Sequence, residues 1–494
     1  MFIVDAWLSN FVFWPDAVLI YLPNFDKICL IFMLICLRPA ILDNALVTGA
    51  GAGSLLTSDY WGVPLSHSGS HKSYRPLTSL SFRLNYLMSG PDPRSFHLTN
   101  VLLHGLVSLL FMRLVTSLPG LTRSASLVTG LAWAVAPVHT EAVTGVVGRA
   151  DILASLLSLV TIAQYQARGW SLVTPLLAAL AMLAKEQGVT VLGVCFTLEL
   201  CDPRRRPEQR RRSLLRLGLS CVILLSLRAA FLGGGLPSFS KADNPASHCP
   251  SLVTRMLTFL YLPVFNLQLL LMPSTLSYDW SMSSIPLVTS ITDPRNVLSL
   301  GLYSPLACLA AKLMFRLYTL HSPTFHSLWR SNLSKAPRPG GSLTTSQIEA
   351  ISIIALALSL IILPFLPAAN LFFYVGFVVA ERLLYLPSLG LCLLLGLGYQ
   401  RLTAHQGRCK VLAAASRVGL LIMILSSASR TVLRNQDWRD EETLFRSGLQ
   451  VNPPKSFSNL GNILYAKGRV DEAEVCFKEA IRHRPNMADT HYNL

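Results

Sequence analysis

The chain has 494 residues, 52% of them hydrophobic and 14% charged, with 42 Lys and Arg against 26 Asp and Glu and a net charge of +16. Its mean hydropathy is +0.47. Soluble globular proteins carry about 25% charged residues, so the composition excludes a disordered chain, a coiled coil and an ordinary cytosolic enzyme. It points instead to many membrane-spanning helices of about 20 apolar residues each.

Residues 1–37 are apolar but interrupted by Pro15, Asp16, Pro23, Asp26 and Lys27. They have no basic n-region and no A-x-A site, so no removable signal peptide is expected. Residues 12–37 read as one atypical N-terminal span. Residues 38–94 read as a first lumenal loop, rich in Ser, Gly and Pro. The loop holds Ser58-Asp59-Tyr60-Trp61-Gly62 and Ser70-His71-Lys72-Ser73-Tyr74-Arg75, and long loops of this kind are often functional. A multi-spanning domain is expected over 95–430. Its candidate spans are 95–118, 124–143, 150–167, 170–184, 187–201, 214–232, 252–272, 297–319, 347–366, 369–399 (broken) and 410–430. With the first segment this gives about 11–12 spans of roughly 20 residues.

Orientation follows from charge. Arg204, Arg205, Arg206, Arg210, Arg211, Arg212 and Arg216 crowd one short connection, and cytoplasmic loops collect Lys and Arg. The basic balance therefore reads as topology, and no nucleic-acid partner is expected. Counting back from this run puts 38–94 on the opposite, lumenal side. Residues 252–272 break the count. A re-entrant segment there, tolerated where protein or a cavity covers it, restores the parity. It keeps Tyr278-Asp279-Trp280 lumenal and leaves the sequon Asn332-Leu333-Ser334 cytoplasmic and unglycosylated.

The cysteines show no CxxC pair and no zinc spacing, and read as small buried hydrophobes. Four polar groups fall at one membrane face. His97, Asn100 and His104 share a side of one helix, the two His about 10.5 Å apart at 1.5 Å per residue, too far to hold one metal easily. Polar packing and a ligand-facing role are both open for them. His139, Glu141, Arg149 and Asp151 lie at a turn between spans, Lys185-Glu186-Gln187-Gly188 at another, and Glu381-Arg382 inside an apolar stretch. Ionisable residues at membrane depth are expensive and usually functional, although Glu141–Arg149 or Arg149–Asp151 pairing would account for some of them. Arg, Lys and His beside carboxylates suit a phosphate-bearing ligand and a general base.

After residue 431 the chain becomes charged and amphipathic. Residues 454–487 fit one tetratricopeptide repeat, with Leu460-Gly461, Gly468, Ala473, Phe477, Ala480 and Pro485 at its spacing. The small residues let two antiparallel helices approach and the proline stops the second. A second repeat begins at Ala488 and is cut at Leu494. Such repeats need about three neighbours to bury their faces, so a truncated form of something longer is expected.

SDYWG, SHKSYRPLTSLSFRLN, FHLTNVLLH, HTEAV, GRADILASL, AKEQGVT and ERLLYLPSLG, followed by the repeat, resemble the transmembrane and tetratricopeptide-repeat (TMTC) O-mannosyltransferases over about 38–494. The resemblance implies an all-α, polytopic, GT-C-like fold with a short lumenal repeat segment, in the endoplasmic reticulum membrane. It implies transfer of mannose from dolichyl-phosphate mannose, a co-substrate, to Ser or Thr of secretory-pathway acceptors such as cadherin domains, with no cofactor; the sequence shows no DxD pair and no clear ligand cluster, so no metal is expected. The hydroxyl attacks the anomeric carbon with inversion, a lumenal carboxylate takes the proton and basic residues hold the leaving phosphate. The family's paired Asp positions fall here on Cys36 and Leu37, ahead of Ala40-Ile41-Leu42-Asp43-Asn44. A substituted N-terminus would explain this departure. Asp59 and Glu141 are then the catalytic candidates, with Asp43 behind Asp59, which could equally cap the Tyr60-Trp61 turn. Lys72, Arg75, His97, His104, Arg149, Asp151, Lys185, Glu186, Glu381 and Arg382 are candidates for the donor site. The alternative is a non-catalytic membrane scaffold whose repeats bind partner proteins. A transporter would place polar residues through the midplane and show internal duplication, and neither is seen.

Overall fold

The computed structural model describes residues 40–49, 54–202, 204–232, 239–321, 344–404 and 410–494. The atypical span at 12–37, Cys36, Leu37 and the sequon at Asn332 lie outside the described residues. Among the described residues every regular element is helical, and extended pairing is limited to two isolated bridges, Ser58–Pro64 and Trp280–Val379.

The first loop is more ordered than its composition suggests. It contains α1 (Pro76–Ser89), started by a proline in its first turn and closed at Gly90, with Thr78, Phe82 and Asn85 turned inward. The helices that follow are α2 (Pro93–Thr116), α3 (Arg123–Ala134), α4 (Arg149–Arg168), α5 (Val173–Ala184), α6 (Val191–Cys201), α7 (Pro207–Phe231), α8 (Leu252–Leu271), α9 (Arg295–His321), α10 (Thr345–Phe365), α11 (Pro387–Ala404) and α12 (Lys410–Asp437). Seven of the described helical segments are long and apolar enough to cross a membrane: α2, α4, α7, α8, α9, α10 and α12.

Other expected spans come out shorter. The 124–143 segment stops at Ala134 and continues as 3₁₀ and single-turn pieces from Pro137, where proline removes a donor. The spans expected at 170–184 and 187–201 are helices of only 12 and 11 residues, joined by a 3₁₀ turn at Glu186–Thr190. The 369–399 stretch is irregular until the 3₁₀ turn Glu381–Leu384, then α11.

Packing separates an interior from an outer ring. In α4, 67% of the apolar window is buried, against 11% in α7 and 6% in each of α9 and α12. Apolar helices with exposed faces need an apolar solvent, so the chain is a multi-pass membrane protein. The core joins α2, α3, α4, α6, α10 and α11 through Val107, Phe111, Trp133, Ile152, Leu192, Leu356 and Leu389. The connections on either side of α8 meet: Met282 N donates to Ala242 O at 2.8 Å, and Asn244 Nδ2 and Ser277 N reach Val375 O and Glu381 Oε1. The two flanks of α8 thus converge on 370–381.

The C-terminal part adds α13 (Glu441–Ser447), α14 (Pro453–Ala466), α15 (Val470–His483) and α16 (Ala488–Asn493). α14 and α15 are the tetratricopeptide hairpin. A Cβ at Gly461 would lie 2.5 Å from the Phe477 ring, and Gly468 makes the turn at φ +77. The hairpin is fastened to the membrane part. Lys455 Nζ donates to Asp279 Oδ2 at 2.6 Å, Asn452 Nδ2 donates to Asp279 Oδ1 at 2.9 Å, and Tyr278 stands edge-on to Phe445 with centroids 5.2 Å apart.

Candidate functional site

Where the first loop, the 278–281 loop, the Glu381–Leu384 turn and α13–α14 come together, they leave a cleft of about 280 Å³. Its lining includes Tyr60, Trp61 and Arg75 from the loop, Val147, Tyr278, Asp279 and Arg382, and Glu441, Phe445, Lys455 and Asn459 from the repeat side. Segments expected at one membrane face by charge counting thus converge. The loop is held in place by Tyr60, whose hydroxyl donates to Val147 O at 3.2 Å. Gly62, at φ +83, presses against Asn44 so closely that a Cβ would lie 2.6 Å from its Oδ1.

Two candidate cations line the cleft. The Arg382 guanidinium meets Glu141 Oε1, and its backbone N–H donates to Glu141 Oε2 at 2.8 Å. Arg75 lies over the Tyr60 ring at 5.3 Å and forks onto Glu186 at 3.0 Å. Arg228 meets the same carboxylate at 2.9 Å. Burial would raise the Glu186 carboxyl, but the Arg75 and Arg228 charges hold it at about 2. Lys455 adds a third cation, which sequence reading missed. Its partner Asp279 also stays below the usual carboxylate range: burial pushes it up, and Lys455 outweighs that.

The two catalytic candidates are corrected by the geometry. Asp59 is buried, with Oδ1 accepting from the N–H of Trp61 and Val63 and Oδ2 from Ser70 Oγ and the N–H of His71. Four donors on one carboxylate make it the pin of the loop. Glu141 gives both oxygens to Arg382, so it orients that guanidinium.

Several donor-site candidates are likewise held away from the cleft. Arg149 is fully buried and donates to Asn100 Oδ1 at 2.8 Å, Phe96 O at 2.9 Å and Ser81 O at 3.3 Å. It locks α4 to α1 and α2. Asp151 accepts from Lys185 and, at 3.2 Å, from Gln187. Burial pushes the Lys185 ammonium down to about 8 against the pull of Asp151. Lys72 donates to Leu65 O within its own loop. His97 is buried on α2. His104 shares an aromatic cluster with Trp133, His139 and Tyr385, its Nδ1 2.7 Å from the tyrosine hydroxyl.

Glu381 is fully buried beside the cleft. Its Oε1 accepts from Ser277 N at 2.6 Å and from Trp280 Nε1 at 3.0 Å, and burial raises its carboxyl to about 7. Glu441 is the cleft carboxylate that sequence reading missed. Among the described residues, no group of three His, Cys, Asp or Glu could hold a metal ion.

Comparison with known proteins adds the remaining findings. The family model described as Protein O-mannosyl-transferase TMTC, DUF1736 matches residues 233–307, and the tetratricopeptide repeat model matches 454–487. The chain is 41% identical to Protein O-mannosyl-transferase tmtc2 of Xenopus laevis and to TMTC2 of Mus musculus, over 88% of this chain and 58% of each relative. It is 38% identical to Protein O-mannosyl-transferase Tmtc1 of Drosophila melanogaster, over 92% of this chain and 60% of that one. The chain thus spans about three-fifths of the length of these relatives. No solved structure matches it.

Proposed function

The chain is a relative of the TMTC protein O-mannosyl-transferases, and on that premise we propose that it moves mannose from dolichyl-phosphate mannose to Ser or Thr hydroxyls of secretory-pathway proteins. The observation that carries this reading is the cleft. It brings Arg75 and Arg382 from the membrane part against Lys455 and Asn459 of the repeat, so a lipid-linked phosphate and a protein acceptor can meet there. The acceptor oxygen attacks the anomeric carbon, the bond from that carbon to the phosphate oxygen breaks, and dolichyl phosphate leaves. Inversion follows from a single displacement. A guanidinium held in place by a carboxylate is suited to the charge that grows on the leaving phosphate. Arg382, oriented by Glu141, is the residue placed for that role. The cleft and the repeats face the lumen of the endoplasmic reticulum in this reading, opposite the Arg204–Arg216 run, and cadherin domains are acceptors to try first.

A second reading is supported by one feature of the same cleft. Each of its cations already has a carboxylate: Arg75 with Glu186, Arg382 with Glu141 and Lys455 with Asp279. A scaffold that binds partners without chemistry would keep its charges satisfied in this way.

The test is transfer of labelled mannose from dolichyl-phosphate mannose to a cadherin domain, in membranes from cells that lack the endogenous family and express this chain. Transfer is expected, with Arg382→Gln reducing it by about tenfold or more, the loss of a hydrogen bond to a charged group. Absence of transfer from inserted, folded chain contradicts the enzyme reading and leaves the scaffold.

A further inference from the structure

We infer that Glu441, the first residue of α13, is the proton acceptor for the incoming hydroxyl, given the transfer reaction proposed above. The argument is elimination by geometry. Two carboxylates line the cleft, Asp279 and Glu441. Asp279 is spent: Oδ1 accepts from Ser281 N, Ser281 Oγ and Asn452 Nδ2, and Oδ2 from Lys455. Behind the wall, Glu141 and Glu186 are spent on Arg382, Arg75 and Arg228; Glu381, whose Oε2 also has no hydrogen-bond partner among the described residues, is fully buried and outside the cleft's lining. Glu441 is 2% exposed, and its Oε1 has no hydrogen-bond partner among the described residues. A buried carboxylate oxygen left without a donor is costly, and such a cost is typical of a group reserved for a ligand.

The local sequence explains why Oε1 is left without a partner. The N-cap of α13 is filled by Asp440, whose Oδ1 accepts from Thr443 N at 2.8 Å, while Asp440 N donates to Thr443 Oγ1 at 3.2 Å. Glu442, next along the chain, takes Arg446, Lys467 and Arg469. Glu441 lies between two committed acids and is committed to neither role. It shares the cleft's lining with Arg75, Arg382, Asp279 and Lys455, and the charges that act on it are Asp440 beside it and Lys467 from the repeat hairpin. Burial is the main cause that raises its carboxyl to about 7, Lys467 opposing and Asp440 adding. A base of that strength is matched to neutral pH.

In the step, the acceptor O–H gives its proton to the Glu441 carboxylate while its oxygen bonds to the anomeric carbon. The electron pair of the broken carbon–oxygen bond leaves with dolichyl phosphate. Glu441 ends neutral and the phosphate gains the negative charge.

The experiment measures initial rates of labelled transfer by the full chain and by Glu441→Gln and Glu441→Asp, from pH 5.5 to pH 8.5. The wild-type rate is expected to rise with pH through about 7. Glu441→Gln is expected to lose about 100-fold in kcat, the lower end for general base catalysis, with little change in the donor KM and no acid limb. Glu441→Asp is expected to keep part of the rate and the limb. A Glu441→Gln chain with the wild-type rate and pH profile overturns the inference while leaving the transferase reading intact. A folded wild-type chain without transfer overturns both.

Discussion

At the scale of single residues, ionisable side chains divide by whether their polar atoms are spent inside the protein. Arg149 gives donors to Asn100, Phe96 and Ser81, so it is a fastener. Arg149→Met should lower the unfolding midpoint in detergent by several degrees, since each buried acceptor left unpaired costs about 1–3 kcal/mol. A loss of transfer at unchanged stability would instead return Arg149 to the donor site. Glu441 differs in sign. Its carboxyl is raised in the folded chain, so between about 4.5 and 7 the native state binds more proton than the unfolded one, and stability falls as pH rises across that window. Glu441→Gln should therefore be more stable than wild type at pH 8 and little different at pH 4. A variant equally stable at both would contradict the buried, uncompensated charge. The sequence shows residue type and spacing, which is why Arg75 and Arg382 were legible as cleft cations. It does not show which oxygens are already taken, which is why Asp59 and Glu141 looked catalytic. Glu441 was hidden because Asp440-Glu441-Glu442 reads as ordinary acidic residues at a helix start.

At the scale of elements, hydropathy located the long helices well, because 20 apolar residues leave few other options. It overextended the segment at 124–143, where apolar composition continues through Pro137, and it counted as spans the two short helices on either side of the turn at Glu186–Thr190. Composition cannot distinguish a straight span from two short helices buried within protein. The close approaches are sharper tests. A Cβ at Gly148 would lie 2.3 Å from Ala142 O, so Gly148→Ala has to move backbone at the wall of the cleft. Overpacking of this kind costs about 1–3 kcal/mol, and a drop in the unfolding midpoint should be seen. A fully stable variant would mean that the turn sits more loosely than described. The link between Asp279 and Lys455 is also an element-scale feature, since it ties the 278–281 loop to the repeat. Asp279→Asn should make the connection between α12 and α14 more sensitive to limited proteolysis, and unchanged digestion would show that Asn452, Tyr278 and Phe445 suffice.

At the scale of the whole molecule, a buried helical interior and a lipid-facing outer ring carry the first loop, and a repeat hairpin closes over it. Charge counting anticipated that the loop, the turn at Glu186 and Glu381-Arg382 belong to one face. It had no means of placing α13 and α14 against them, since Lys455 and Asp279 are joined only by the folded chain. The central claim is that the cleft between loop and repeat receives the sugar phosphate. The most direct measurement places a photo-crosslinking amino acid at Trp61, at Asn459 and, as a control, at the exposed lipid-facing Val418 of α12, and adds radiolabelled dolichyl-phosphate mannose. Capture at Trp61 and Asn459 that excess unlabelled donor abolishes, with none competed away at Val418, is the expected result. Capture at Val418 alone, or capture at all three that the unlabelled donor leaves unchanged, would contradict the account.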